Sequence, residues 1–185
     1  MRKFTTQLLL IACIVAWAVT PGIAGDPPAT AKKTAKTDAA MEHEGVEWLN
    51  YDAGIAKAKK EGKPIVIDFY TDWCGWCKKM DKSTFQDDKV VDYLKNNFVT
   101  IRVNGESQSM VSHKGEKLSE RLLTKAYGVR GFPTFWFLDS EGKQIGPAPG
   151  YKATDAFLNL LEYVGGNHYK TMSFESFVKS KSDNG

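Results

Sequence analysis

Cysteine is scarce: the 185-residue chain has three, Cys13, Cys74 and Cys77. A framework of several structural disulfides is thereby excluded. Histidine is as sparse, and His43, His113 and His168 lie far apart, which favours solvated side chains over a metal cluster. No clear bilayer span is present, since the apolar run Leu8–Val19 has only 12 residues where about 20 are needed. Charge of one sign is missing too. The 25 Lys and Arg face 22 Asp and Glu, a net +3 that gives no sign of nucleic-acid binding. Internal repeats are absent. With 42% hydrophobic and 25% charged residues, the composition suits one ordinary globular domain with extensions.

Those extensions are readable at the N-terminus. Arg2 and Lys3 precede the apolar run, and Pro21-Gly22 breaks it before Ala24, the three parts of an export leader over residues 1–24. Cleavage after Ala24 is the expectation. The alternatives are an uncleaved N-terminal membrane anchor, or acylation at Cys13 within Leu10-Ile-Ala-Cys13. Export would remove Cys13, leave a net charge of +1, and place the chain in the periplasm. Residues 25–44 are rich in Pro, Ala, Lys and Thr and read as a flexible linker.

The domain is expected over 45–180, opening with a short strand at Val46–Leu49. Asp52 is a candidate cap for a helix to Glu61. Pro64–Tyr70 reads as a buried strand and Phe98–Val103 as a central one. Between them lie a helix after the cysteines and a second one capped by Asp87 or Asp88. Residues 104–117 lack periodicity and read as a long polar loop insertion. A helix over Ser119–Tyr127, strands at Thr134–Leu138 and Gln144–Ile145, and a helix over Thr154–Val164 follow. Residues 165–180 form a C-terminal extension with a short helix near Phe174–Val178. This order implies an α/β fold, a mixed sheet with helices on both faces.

The chemistry concentrates in Trp73-Cys74-Gly75-Trp76-Cys77, where the Pro64–Tyr70 strand gives way to a helix. Two cysteines two residues apart close a small ring or open to two thiols, exchanging two electrons. Such a ring encloses too short a loop to stabilise a fold much, so redox chemistry is the better reading. Unpaired N–H groups at a helix N-terminus favour a thiolate at Cys74, which makes it the attacking sulfur. Cys77, one turn further in, is expected to be less exposed and to resolve the mixed disulfide. Trp73 and Trp76 are expected to shield the pair and present an apolar docking face. A carboxylate at Asp68, inside an apolar strand, is costly without a role or a core partner.

Ile67-Asp-Phe69, Trp73-Cys-Gly-Trp-Cys77, Tyr127-Gly-Val-Arg-Gly-Phe-Pro-Thr134 and Gly150 together resemble the thioredoxin superfamily over about residues 46–165. In detail the chain resembles periplasmic thioredoxin-related proteins of sulfur-oxidation gene clusters and the C-terminal domain of the transmembrane thiol:disulfide interchange protein. The resemblance implies a thioredoxin-like fold with Cys74 as nucleophile, Cys77 as resolving cysteine and Asp68 as the buried acid moving a proton to and from it. It implies substrate contacts from Trp73, Gly75, Trp76, Phe132, Pro133 and Gly150, with Pro133 a cis proline facing the disulfide. Arg102 falls where a lysine often supports the acid; an exposed strand residue is the other reading. Trp76 in place of proline, and a bulky Phe132, depart from the usual pattern.

The function expected is reduction of protein disulfides by a monomer whose sole redox group is the Cys74–Cys77 disulfide, with no other cofactor and no metal. Its partners would be disulfide-bearing proteins and a membrane thiol-transporting reductant. A disulfide oxidase or isomerase is the alternative, and a Cu(I)-binding module a third.

Overall fold

The structure is a computed structural model that describes residues 45–183 and the backbone of residues 41–42. The expected leader, Cys13, His43 and nearly all of the expected linker lie outside the described residues. Two residues of that linker are paired: β1 (Met41–Glu42) runs antiparallel to β2 (Glu47–Trp48).

Four strands form the central sheet, in the order β4 (Val99–Asn104), β3 (Ile65–Tyr70), β7 (Thr134–Leu138), β8 (Gln144–Pro149). β3 pairs parallel with β4 and antiparallel with β7, so the sheet is mixed. Both faces are covered, which is why β3 reads as an apolar run interrupted only by Asp68. Ile65, Ile67 and Phe69 of β3 join Ile101 and Val103 in one core, beneath α1 (Tyr51–Glu61) and α4 (Glu120–Ala126). Val66 joins Phe135 and Phe137 in the other core, with residues of α2 (Gly75–Lys82), α3 (Asp88–Asn97) and α5 (Thr154–Gly165). Alternation places Asp68 on the Val66 side, the side of α2. The fold class expected from the sequence is the one observed.

Several details differ. Asn50, not Asp52, caps α1, its side chain accepting from the Ala53 N–H at 2.9 Å. Asp52 instead accepts from the Ser112 N–H at 2.8 Å. That contact pins the segment expected to be a loop, which is a β-hairpin: β5 (Met110–His113) against β6 (Glu116–Ser119). Its two-residue turn holds Lys114 at φ 52° and Gly115 at φ 86°. A turn with both central residues left-handed usually announces itself as Asn-Gly, and Lys-Gly hid it. The C-terminal helix, α6 (Phe174–Asp183), is longer than expected and packs on α5, with Phe174 and Phe177 ringing Tyr163. Among the described residues no helix is long and apolar enough to cross a membrane.

One close approach sets the seat of α1 on the sheet. A Cβ at Gly54 would stand 2.2 Å from Ile101 Cγ1, deep inside contact distance. Gly54→Ala should therefore cost about 1–3 kcal/mol by overpacking, read as a lowered urea midpoint. Adding Ile101→Ala removes the clashing atoms, so the pair should be less destabilised than the sum of the singles. Strict additivity would refute the contact.

Candidate functional site

Cys74 and Cys77 are joined as a disulfide with Cα atoms 5.3 Å apart. Cys74 is the N-cap of α2, and its sulfur accepts from the Cys77 N–H at 3.1 Å. That donor, with the helix dipole behind it, would stabilise negative charge on Cys74 Sγ once the bond opens. Both cysteines are buried in the disulfide form, Cys74 at 3% and Cys77 at 2% exposed. The flanking tryptophans stand outward instead, Trp73 at 65% and Trp76 at 55% exposed.

Each tryptophan has a neighbour from elsewhere in the chain. Trp73 meets Phe132 edge-on, ring centroids 6.0 Å apart. Trp76 packs against Tyr151 at 5.2 Å, and the Lys79 ammonium sits 5.0 Å from both rings, a cation–π arrangement. The disulfide thus lies between two aromatic pairs. The Phe132–Pro133 peptide is cis, Pro133 is buried, and its carbonyl accepts from the Gly150 N–H at 2.8 Å. Phe132 fits before this proline because residue 105 is glycine: a Cβ there would come within 2.4 Å of the ring. Gly75, in the first turn of α2, has open space around it.

On the α2 side of the sheet lies a charge cluster in which Asp68 and Arg102 are buried and Asp81 is half-buried. The parallel register sets Asp68 of β3 beside Arg102 of β4. Arg102 Nε donates to Asp68 Oδ2 at 3.0 Å, and its Nη2 donates to Asp81 Oδ1 at 2.7 Å. The exposed-strand reading of Arg102 is overturned, since the residue is only 4% exposed. Its guanidinium lies 4.4 Å from the Tyr70 ring centroid and 5.3 Å from that of Trp48. Asp81 escaped the sequence reading. The available signal was its spacing of four from Cys77, which puts both on one face of α2.

Burial pushes the Asp68 carboxyl up to about 6 from its ordinary 3.8. Arg102 pulls it back, while Asp81 pushes in the same direction as burial. Its Oδ1 has no hydrogen-bond partner among the described residues. The arrangement is a buried carboxyl poised to gain or lose a proton near neutral pH.

The histidines do not converge. His113 is half-buried rather than solvated, its Nδ1 bonded to the Tyr51 hydroxyl at 2.7 Å, and His168 lies 4.7 Å from the Phe177 ring. Among the described residues no group of three His, Cys, Asp or Glu is placed to hold a metal ion.

Comparison with known proteins agrees with this geometry. A family model described as a thioredoxin-like domain matches residues 51–165. The chain is 36% identical over 107 residues to the thiol:disulfide interchange protein DsbD of Yersinia pestis (strain Pestoides F), covering 57% of this chain and 16% of that protein. With DsbD of Vibrio cholerae it shares 31% over 115 residues, 61% of this chain and 18% of the relative. The chain therefore spans less than a fifth of the length of these relatives. A thioredoxin-fold protein from Helicobacter pylori superposes with a TM-score of 0.59 at 25% identity, over 68% of this chain and 88% of that one. A thioredoxin from Thermus thermophilus gives 0.54 at 25% identity, over 65% and 87%.

The raised Asp68 pKa ties stability to pH with a definite sign. The folded state favours the protonated carboxyl, so this contribution is present in full below pH 3.8 and is lost as pH rises through about 6. The loss amounts to about 3 kcal/mol. Urea unfolding from pH 4 to 7 should show wild type losing stability relative to Asp68→Asn as pH rises. Parallel curves would refute the shift.

Proposed function

Because the chain belongs to the thioredoxin-like domain family of thiol-disulfide oxidoreductases, we propose that it reduces disulfides of exported proteins in the periplasm, through Cys74 and Cys77. One observation carries the reading: a cysteine pair closes the first turn of α2, with a buried, near-neutral carboxyl on the same side of the sheet.

The reduced pair begins the exchange. The Cys74 thiolate attacks one sulfur of the substrate disulfide, and the other sulfur leaves and takes a proton from solvent. Cys77 then gives its proton to Asp68, whose unpartnered Oδ1 is the accepting atom, and its sulfur attacks Cys74 Sγ. The first substrate sulfur leaves as a thiolate and takes the second proton from solvent, and Asp68 returns the Cys77 proton to solvent. Two electrons and two protons have passed to the substrate, and the Cys74–Cys77 disulfide is regenerated. No other cofactor takes part in this scheme.

Two electrostatic features oppose each other: the helix N-terminus at Cys74 favours an oxidant, and the ion pairs that engage Arg102 favour a reductant. Stabilising the thiolate of the reduced form turns such a pair into an oxidant. Here the Arg102 charge is already engaged by Asp68 and Asp81, so it adds little to a Cys77 thiolate. A measured reduction potential near thioredoxin's, about −270 mV, would mark the reductive direction, and one near −120 mV the oxidative one. The leader-like residues 1–24 support export, and the name borne by the relatives, thiol:disulfide interchange protein, supports exchange with a redox partner; the electron source we propose is a membrane thiol-transporting reductant.

Cys74→Ala should abolish insulin-disulfide reduction, while Cys77→Ala should accumulate a mixed disulfide visible by non-reducing electrophoresis and mass spectrometry. Full multiple-turnover activity in Cys77→Ala would overturn the assignment. Asp68→Asn should slow turnover at neutral pH and much less at alkaline pH, where Cys77 ionises unaided; an unchanged pH–rate profile removes Asp68 from the proton path.

A further inference from the structure

The ring of Phe132 forms a ridge between two surface hollows. One, of about 400 Å³, is lined by Gly105, Glu106, Arg121, Thr124 and Lys125. The other, of about 420 Å³ and mostly apolar, is lined by Val129, Arg130, Trp136 and Pro147 and runs to Pro133 and Gly150. Both share Val129 and Phe132, and the ridge touches Trp73 beside the disulfide. The two hollows adjoin across Phe132 and together make one grooved face beside Trp73.

Its charge is lopsided. Arg121 and Lys125 stand four apart on α4, and Arg130 lies in the loop leading to Phe132. All three are exposed, and no ion pair forms between any of them and an acidic side chain among the described residues. Like charges four apart on a helix are mildly destabilising, so the fold gains nothing from this pair. Among the described residues Glu106 is the only acid lining the groove.

The mode of recognition follows from the neighbouring strand. β8 is the free edge of the sheet, and Pro147 and Pro149 deprive it of two N–H donors. An added strand would find a poor ladder there, so an extended occupant must be read through its side chains. We propose that this groove binds an extended segment of the disulfide-bearing protein substrate in which acidic residues flank an apolar one. The apolar side chain enters the hollow over Trp136 and Pro147, and the acids meet Arg121, Lys125 and Arg130. This rests on the oxidoreductase reading above.

The test uses the reduced full chain and two synthetic peptide disulfides with the same apolar core, one flanked by Asp and Glu, the other by Lys. In low salt the acidic peptide should be reduced with a kcat/KM about tenfold higher, and the ratio should collapse in ~0.5 M salt. Reversing Arg121→Glu, Lys125→Glu and Arg130→Glu together should invert the ratio. If that variant fails to fold, Lys125→Glu alone should halve the ratio or better, and the wild-type salt titration needs no variant. Neutral dithiodipyridine, too small to reach the groove's cations, separates the two readings. Reduction of dithiodipyridine with equal rates on both peptides overturns the docking inference alone; no reduction of dithiodipyridine overturns the oxidoreductase reading itself.

Discussion

The contact on which the site depends is the buried pair of Asp68 and Arg102, side by side across the parallel β3–β4 register. Removing two charges from water costs several kcal/mol each, and a pair repays this only with good geometry and further hydrogen bonds. Arg102 supplies both. Its planar fork reaches Asp68 with one nitrogen and Asp81 with another, while its face lies against Tyr70. A lysine is a point charge on a flexible stem and would not span two carboxylates in this way. Because the guanidinium is shared, it does not hold Asp68 fully ionised, and burial prevails. The carboxyl is left able to exchange a proton in the pH range where thiol chemistry needs one.

Around that centre the surface is assembled from distant parts of the chain. Trp73 and Trp76 come with the cysteines, but their neighbours Phe132 and Tyr151 arrive through β7 and β8. Gly105, just past β4, makes room for Phe132. The β5–β6 hairpin is held to the domain by Asp52 and by a hydrogen-bonded chain in which the Tyr51 hydroxyl meets both His113 and the Tyr127 hydroxyl. α4, which carries Arg121 and Lys125, begins directly after that hairpin. The redox pair is thus set by one short segment, and its surroundings by segments scattered from Gly105 to Tyr151.

Local pattern was enough to read the sheet strands, the helix after Cys77, the scarcity of cysteine and the CGWC ring, because each depends on periodicity or spacing within a few residues. It was also enough to mark Asp68, since a carboxylate within an apolar strand stands out wherever it folds. The hairpin escaped because Lys-Gly is a weak turn signal, and Asp81 because an acidic residue on a basic helix looks solvated. Arg102 stayed ambiguous for a like reason: a strand that buries both faces carries no period to say which residues are inside. Residues 74 and 77 could be named from the chain alone because backbone geometry holds i and i+3 together at any helix start. Whether Asp68 would be charged, which cation would meet it, and how deeply the sulfurs would be covered were decided only by register and packing, since desolvation is a property of the surroundings that the fold brings in and not of the residue itself.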